Sequence, residues 1–391
     1  ELLVAWNAVS TQAPSGVVRV LLVEDDAGGA DRVRALLREA RRPSFAVEVV
    51  PAARDAVAEI DARPYDAVVL GLSPEAARSG EGFAIIRHLD KTAPVVVLGD
   101  LDDDDVAVKA VKRGAQDYLV KDHLIPELLV RSIRYARERH RLLAEQNRRL
   151  DYELKIAAFV QQSFLPGVMP AAPRHDIGAY LHASGQVGGD FYDCLELPDD
   201  RVALAVGDAS GKGIPGAILM AETQGILRAE ASTCATPIEL VQTLNRALLH
   251  DKNQDRFVTL FYGVLTLSTG EFTFVNAGHP RALLFDGDAE SALVSAGPPL
   301  RLFADATWEA QTVTIADGGR LVIYSDGVTE AQNEADRFFD LDGIRTVMAE
   351  HRDASAPELA RHICHAAERF ERGNPDPGDD KTVVVIRSLD A

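Results

Sequence analysis

Cysteine, positive charge and long apolar runs are all scarce in this chain of 391 residues, and each scarcity excludes a class of protein. The three cysteines, Cys194, Cys234 and Cys364, are far apart, which argues against a disulfide framework or a zinc site and suits a reducing cytoplasm. No apolar run approaches the ~20 residues that span a membrane. The chain has 41 Lys and Arg against 60 Asp and Glu, a net charge of −19, which disfavours binding to nucleic acids and to anionic membranes. We therefore predict a cytoplasmic protein that binds neither nucleic acid nor membrane.

The first 16 residues have no basic segment followed by an adequate apolar stretch, so they do not resemble a secretion signal. We expect a disordered leader or a remnant of cloning there. The rest of the chain is too long for one ordinary domain and predicts two or three.

Residues 17–123 alternate short apolar strands with amphipathic helices. The five expected strands have the sequences VVRVLLV, FAVEVV, DAVVLGL, PVVVLGD and DYLVK. This alternation predicts an α/β domain with a doubly wound parallel sheet, in which ligands bind at the carboxyl ends of the strands.

Residues 124–165 predict one long helix that joins two domains. Mostly apolar residues recur along it at alternating spacings of four and three, from Leu129 to Phe164, as in a coiled-coil seam. Asn147 lies between Leu143 and Leu150 at a position where a buried Asn favours a parallel pair of helices. We therefore expect a homodimer through this linker; the alternative is that the stripe packs on the chain's own domains.

Residues 166–391 are rich in strands, with helices expected near 215–230, 236–250, 341–351 and 356–372. Many antiparallel strands with a few helices predict an α+β layered domain, a β-sandwich with helices outside.

Four aspartates at turns are the strongest chemical signal in this region. They are Asp190 in VGGDFYD, Asp208 in GDASGKG, Asp326 in YSDGVTE and Asp379 in GDDKT. Carboxylates that converge with little positive charge nearby need hard divalent cations, Mg²⁺ or Mn²⁺. The alternative for each aspartate alone is a cap on its turn.

The 17–123 segment resembles a two-component receiver domain. VLLVEDD supplies Glu24 and Asp25, and GAQDYLVK supplies Lys121, as that family requires. The family's phosphate-accepting aspartate, however, falls on Gly71, and its hydroxyl residue after the fourth strand falls on Gly99. The resemblance therefore implies the fold without phosphorylation, a pseudo-receiver, and Glu24 and Asp25 are as easily solvated loop residues as metal ligands.

From about residue 153 the chain resembles the SpoIIE/RsbU-type branch of the PPM metal-dependent protein phosphatases. Seven motifs follow the family order: KIAAFVQQSFLP, VGGDFYD, VGDASGKGIPGA, RFVTLFYGVL, NAGHP, YSDGVTEA and DDKT. The resemblance implies two Mn²⁺ or Mg²⁺ ions holding a water or hydroxide, so that no side chain is needed as nucleophile.

The resemblance also implies a role for each aspartate. Asp208 is expected to bridge both metals, with the carbonyl of Ala209 beside it. Asp190 is expected on the second metal, and Asp326 and Asp379 on the first.

Four nearby residues are given lesser roles. Asp380 is a weaker ligand candidate, because other phosphatases of this fold have asparagine there. His279 in NAGHP is interpreted as a structural histidine, and Lys212 and Lys381 as solvated lysines.

By this resemblance the chain is a dimeric phosphoserine/phosphothreonine protein phosphatase. The family's substrates imply a small phosphorylated STAS-domain protein, an anti-anti-sigma factor, as partner, and the end of the linker helix is expected to act on the helix at 215–230. Two alternatives remain open at this point. One is a non-catalytic adaptor with a phosphatase fold, and the other is a conventional response regulator, which Gly71 and Gly99 oppose.

Overall fold

The computed structural model describes residues 16–389, except 41, 74, 77–80, 90–91, 101–103, 250–255, 288, 295 and 375–377. The chain divides into two compact units, one ending at Leu150 and the other beginning at Asp151. The leader expected over residues 1–16 falls, apart from Gly16, outside the described residues.

The first unit contains the predicted parallel sheet. Its strands are β1 (Val17–Val23), β2 (Ser44–Val50), β3 (Ala67–Leu72), β4 (Val95–Gly99) and β5 (Asp117–Val120), in the order β2-β1-β3-β4-β5. All four pairings are parallel. The helices between them are α1 (Ala27–Glu39), α2 (Ala53–Ala62), α3 (Glu81–Leu89) and α4 (Asp104–Lys112). Two apolar clusters, one on each face of the sheet, bury the central strands, as a doubly wound fold requires.

The linker is a single helix of 37 residues, α5 (Pro126–Gln162), about 55 Å long at 1.5 Å per residue. Its first turns belong to the core of the first unit, where Leu129, Ile133 and Ala136 are buried. This part of the seam follows the alternative interpretation, in which the stripe packs on the chain's own domain. Further along, Leu143 and Leu150 are exposed, at 46% and 57%.

The second unit is built from two antiparallel five-stranded sheets. The first has the order β13-β10-β9-β8-β7 and the second β12-β11-β14-β15-β6. The strands are β6 (His175–His182), β7 (Asp190–Leu197), β8 (Arg201–Ala209), β9 (Val258–Thr266), β10 (Glu271–Ala277), β11 (Ala282–Asp286), β12 (Ala289–Leu293), β13 (Gln311–Thr314), β14 (Arg320–Tyr324) and β15 (Lys381–Ser388).

Helices cover the outer faces of both sheets. On the first sheet lie α6 (Ile214–Glu230) and α7 (Pro237–Leu248); on the second lie α9 (Asp340–Glu350) and α10 (Ala356–Phe370), and the short α8 (Asp326–Thr329) follows β14. A third apolar cluster, with Phe261, Phe272 and Phe274 stacked at its centre, fills the space between the sheets. The layered sandwich with helices outside is therefore confirmed.

Within the described part of the chain, no helix has both the length and the apolar character needed to cross a membrane.

Candidate functional site

Two of the four aspartates are brought together by strand pairing. Asp190 begins β7, Asp208 lies near the end of β8, and the two are directly opposite each other in the antiparallel ladder. Side chains at such paired positions share one face of the sheet, with Cβ atoms about 5 Å apart. The register of one hairpin thus places two carboxylates side by side.

The other two aspartates reach the same region from the second sheet. Asp326 opens α8 directly after β14, and Asp379 precedes β15, which pairs with β14. Burial, followed by the negative charges of Asp326 and Asp379, raises the pKa of Asp208 to about 7. Burial also raises the pKa of Asp326, helped by Glu330 and Asp379. Carboxylates from both sheets therefore repel one another at one site.

Asp190 is the most enclosed of these carboxylates, with only 4% of its surface exposed. Burial, and then the charge of Asp208, raises its pKa well above the usual range. Ser325 Oγ and Thr382 Oγ1 each donate a hydrogen bond of 2.6 Å to its Oδ2. Sequence reasoning missed both hydroxyl residues; the available signal was that each lies within three residues of an expected ligand.

Asp380 has a different role from its neighbour Asp379. Its Oδ1 accepts hydrogen bonds from the backbone N–H and hydroxyl of Ser184, at 2.8 and 3.1 Å, and its Oδ2 accepts one from Gly189 N at 2.8 Å. These contacts hold its carboxylate on the loop before Asp190.

That loop needs glycine for steric reasons. A Cβ on Gly188 would lie 1.9 Å from Asp380 Oδ2, and one on Gly189 would lie 2.3 Å from the carbonyl oxygen of Ala209. The loop can therefore approach both the Asp380 carboxylate and the Ala209 carbonyl closely.

The carboxylates are of the type that binds hard divalent cations, although they do not form a complete coordination site. Among the described residues, no three acidic, histidine or cysteine side chains stand close enough together to hold a metal as they are. The pKa values of Asp190, Asp208 and Asp326 are nevertheless all raised by burial, and neighbouring carboxylates raise them further. A divalent cation would relieve that repulsion, and oxygen ligands are those that Mg²⁺ and Mn²⁺ prefer. The residues therefore fit such ions.

The two lysines near the site differ. Lys212 is exposed, and its Nζ lies 3.7 Å from Asp379 Oδ2. Lys381 is only 2% exposed; its Nζ is 2.8 Å from Glu371 Oε2 and donates to the Asp379 carbonyl. The expectation of a solvated lysine is wrong for Lys381, because the start of β15 turns this side chain into the domain towards Glu371.

His279 is buried, and its Nδ1 lies 2.8 Å from Thr259 Oγ1. Its backbone N–H donates to Asn276 Oδ1 at 2.9 Å. Burial lowers the pKa of His279 to about 3. A group with that pKa is neutral near pH 7 and carries no proton to give to a leaving group, which is consistent with a structural histidine.

The segment that follows the linker helix contacts α6 directly. The carbonyl of Phe164 accepts hydrogen bonds from Gln224 Nε2, at 3.0 Å, and from Arg228 Nη2. The same two side chains also bind the buried carboxylate of Asp193, with Arg228 Nε at 2.6 Å and Gln224 Nε2 at 3.0 Å. The end of the linker, α6 and β7 are thus joined by one polar network.

At the position where a receiver domain would be phosphorylated, beside Gly71, the space is occupied by the chain's own side chains. Glu24 is buried, and Lys121 Nζ lies 2.9 Å from its Oε2 and 3.3 Å from Asp100 Oδ1. Burial opposes the charge of Lys121, but the contacts with Glu24 and Asp100 together outweigh it and raise the lysine's pKa. A Cβ on Gly71 would lie 2.3 Å from Glu24 Oε2. The carboxylate therefore fills the place that a residue at position 71 would need.

The space beside Gly99 is also occupied by another side chain. A Cβ at this position would lie 1.8 Å from the hydroxyl oxygen of Tyr118 on β5. The tyrosine ring thus occupies the space beside the fourth strand. Asp25 lines a cavity of about 410 Å³ together with Glu24 and Lys121.

Two family models match the chain. The response regulator receiver domain matches residues 20–133, and Stage II sporulation protein E (SpoIIE) matches residues 198–389. Asp208, Asp326 and Asp379 fall inside the second match, and Asp190 lies just before it.

Two phosphoserine phosphatases of Bacillus subtilis are similar to this chain in sequence. The chain is 26% identical to phosphoserine phosphatase RsbU of Bacillus subtilis over 268 residues, which cover 68% of this chain and 78% of RsbU. It is 24% identical to phosphoserine phosphatase RsbP of the same organism over 238 residues, 60% of this chain but only 57% of RsbP.

Solved structures share the fold of the second unit. The SiaA-PP2C domain of Pseudomonas aeruginosa superposes with a TM-score of 0.56 at 20% identity, covering 62% of this chain and 99% of that domain. The two family matches therefore identify a response regulator receiver domain over residues 20–133 and a SpoIIE-type phosphatase domain over residues 198–389.

Proposed function

We propose that this chain is a Mn²⁺- or Mg²⁺-dependent phosphatase that hydrolyses phosphoserine or phosphothreonine in a partner protein. The observation that carries the proposal is the pairing of Asp190 with Asp208 at buried strand ends, with Asp326 close enough to raise the pKa of Asp208. Such a cluster of buried negative charge is costly unless cations neutralise it.

The metal ligands in this proposal are Asp190, Asp208, the Ala209 carbonyl, Asp326 and Asp379. When bound, two divalent ions would acidify a water molecule and neutralise the charge of the phosphoryl group. The residues of the chain orient these ligands: Ser325 and Thr382 fix one oxygen of Asp190, which leaves its other oxygen for a cation. Lys212, exposed beside Asp379, can approach the phosphate of an incoming substrate.

The test is hydrolysis of p-nitrophenyl phosphate by the full chain with Mn²⁺, with Mg²⁺ and with EDTA. The proposal requires turnover with a divalent ion and its loss in EDTA. A wild-type protein without activity under all three conditions would favour the adaptor alternative.

For the substrate we propose a phosphorylated STAS-domain protein. This rests on the resemblance to RsbU and RsbP, both of which are named phosphoserine phosphatases. An affinity pulldown with the Asp208→Asn variant, followed by phosphosite mapping of the captured proteins, would check it. Capture of a phosphoprotein without a STAS domain would overturn this part of the proposal while leaving the activity itself standing.

For regulation we propose control by protein contacts instead of phosphorylation. Gly71 offers no acceptor, and the Glu24 carboxylate occupies the space around it. Exposed Leu143 and Leu150 flank Asn147 on the linker, and a second copy of the helix would cover them in a homodimer. The network from Phe164 to α6 gives the linker a direct connection to the phosphatase domain.

A further inference from the structure

A cavity of about 320 Å³ lies at the edge of the second sheet of the phosphatase domain. It is lined by Arg320, the first residue of β14, whereas Asp326 follows the other end of that strand. At about 3.3 Å per residue, the strand places the cavity on the order of 15–20 Å from Asp326. The cavity is therefore separate from the site formed by the aspartates.

Three arginines line this cavity, in a chain whose overall charge is −19: Arg320, Arg345 and Arg352. Arg345 is paired with Glu290, which also lines the cavity. Its Nη2 and Nε lie 2.8 and 2.9 Å from the two carboxylate oxygens of Glu290, and its Nη1 lies 2.8 Å from Asp342 Oδ1. The Glu290 carboxylate is thereby engaged and does not compensate the charge of Arg320.

Arg320 has more positive charge around it than acceptors. It faces Arg387 directly in the β14–β15 ladder, and like charges at such positions destabilise a sheet. Its Nη2 donates to the carbonyl of Arg352, but within the described part of the chain its buried Nε has no hydrogen-bond partner, and neither has the Nε of Arg387. Burial lowers the pKa of Arg320, and the charges of Arg387 and Arg352 lower it further against the opposing effect of Asp353. An anion in the cavity would balance this charge.

The rest of the cavity wall is apolar. Phe285 lies opposite Arg320 in the β11–β14 pairing, and Met348 and Ala349 belong to α9. The volume is near the lower end of the range for small-molecule sites, about 300–1,000 Å³, so it suits one small molecule. A ligand that matches both parts of the wall has an anionic group and an apolar body.

Phosphate is the anionic group that suits this wall best. The guanidinium group presents a planar fork of N–H donors that matches phosphate and carboxylate oxygens. A phosphate monoester has close to two negative charges at pH 7, whereas a carboxylate has one. Two arginines, Arg320 and Arg352, are therefore matched in charge by one phosphate.

We propose that this cavity binds a small organic phosphate, with the phosphate group at Arg320 and Arg352 and the apolar body against Phe285 and Met348. None of the proposed metal ligands lines the cavity, so binding needs no divalent cation and goes beyond the proposed function. Inorganic phosphate, which the proposed reaction releases, has the same anionic group but lacks a body for the apolar wall. It should therefore bind more weakly than an organic phosphate.

The test is titration calorimetry of the full chain in EDTA with three probes: phenylphosphonate, inorganic phosphate and phenol. Phenylphosphonate joins an anionic group to an aromatic ring, and EDTA removes the cations that would hold phosphate at the aspartates. Phenylphosphonate should bind at least about fivefold more tightly than inorganic phosphate, because its ring buries apolar surface. Phenol, which has no charge, should not bind.

Arg352→Met and Arg361→Met are the matched variants. Arg352 is exposed, and its substitution keeps the backbone carbonyl that Arg320 binds. Arg361 is also exposed, on α10, and does not line the cavity. Arg352→Met should weaken phenylphosphonate binding at least about tenfold, the factor expected for one charge-assisted hydrogen bond. Arg361→Met should bind as the wild type does, and equal melting temperatures in EDTA would show that both variants fold.

The possible outcomes separate this proposal from the phosphatase activity. Absence of phenylphosphonate binding at millimolar concentrations would overturn the proposal, and so would wild-type affinity in Arg352→Met. Inorganic phosphate that binds as tightly as phenylphosphonate would overturn the choice of an organic ligand. A wild type that binds phenylphosphonate in EDTA but does not hydrolyse p-nitrophenyl phosphate with Mn²⁺ or Mg²⁺ would refute the proposed function and support the separate site.

Discussion

Asp190 and Asp208 face each other across one rung of the β7–β8 ladder. Neither has a basic partner in the described structure; hydroxyl groups hold Asp190, and burial and carboxylate charge raise the pKa values of both. The repulsion between the two carboxylates is unfavourable for folding, and the cations of the proposed function would neutralise it. Under that proposal, stability and function oppose each other at this pair.

Asp208→Asn should abolish function and stabilise the metal-free fold. Metal-dependent hydrolysis should fall by at least about a hundredfold, because a ligand proposed to serve both cations is weakened. The free energy of unfolding, measured by thermal denaturation in EDTA at pH 8, should rise by about 1 kcal/mol, since one buried negative charge has been removed. Asp199→Asn, at an exposed turn with a side chain 87% exposed, is the matched control and should change neither quantity. Retained hydrolysis at saturating Mn²⁺ would contradict the bridging role.

His279→Asn should change the pH dependence of stability while sparing activity. The folded protein keeps His279 neutral, because burial lowers its pKa to about 3, whereas the unfolded chain takes up a proton near pH 6.5. The stability that this residue contributes is therefore present above pH 6.5 and is lost as the pH falls below it, by about 1.4 kcal/mol per pH unit. Urea unfolding between pH 7.5 and 4.5 should show the wild-type advantage shrinking as the medium becomes more acidic. Parallel curves for the two proteins, or a large loss of turnover at pH 7.5, would show that the assignment is wrong.

Gly71→Ala should destabilise the receiver domain by about 1–3 kcal/mol, because the added methyl group must displace the Glu24 carboxylate from its contact with Lys121. Gly225→Ala is the control: it lies in the middle of α6 with open space around it and should stabilise by about 0.5–1 kcal/mol. Chemical denaturation of both variants measures the difference. If Gly71→Ala leaves the free energy of unfolding unchanged, the Glu24 carboxylate must move aside without cost.

Acetyl phosphate with Mg²⁺ should leave the mass of the full chain unchanged, since position 71 has no carboxylate to modify. Gly71→Asp should also fail to form a stable adduct, because the Glu24 carboxylate, paired with Lys121, already occupies the space beside position 71. Intact-mass measurement decides both cases. A phosphorylated wild type would support the conventional response regulator instead.

Leu143→Asp combined with Leu150→Asp should convert a dimer into a monomer. Both side chains are exposed on the expected seam, and a charge there would be buried between helices in a pair. Leu142→Asp, at an equally exposed position off the seam (49%), should leave the dimer intact. Sedimentation velocity gives the oligomeric state, and a monomeric wild type would contradict the proposed homodimer.

Much of the architecture could be predicted from local pattern. The alternation of apolar strands and amphipathic helices predicted the parallel sheet, and the expected helix at 356–372 is α10, Ala356–Phe370. Strand β12 could not be predicted in this way, because its sequence, AESAL, is mostly exposed and has little strand preference, so that only pairing with β11 defines it.

The linker shows where periodicity fails to predict the outcome. The heptad spacing runs from Leu129 to Phe164 with a few polar members, yet its first residues are buried in the receiver core and the polar member Gln161 binds Gly188. A repeat of apolar positions predicts that a face will be covered, but it does not say by what.

The sequence by itself determined the two domain types, the four aspartates and the loss of an acceptor at Gly71, because each depends on residue identity in a local motif. Only the tertiary structure decided that Asp380 organises a loop, that Lys381 is buried and that Ser325 and Thr382 hold Asp190. The contacts of Asp380 and Asp190 join residues more than a hundred positions apart, and the packing of two sheets, which no local pattern encodes, brings them within hydrogen-bonding distance.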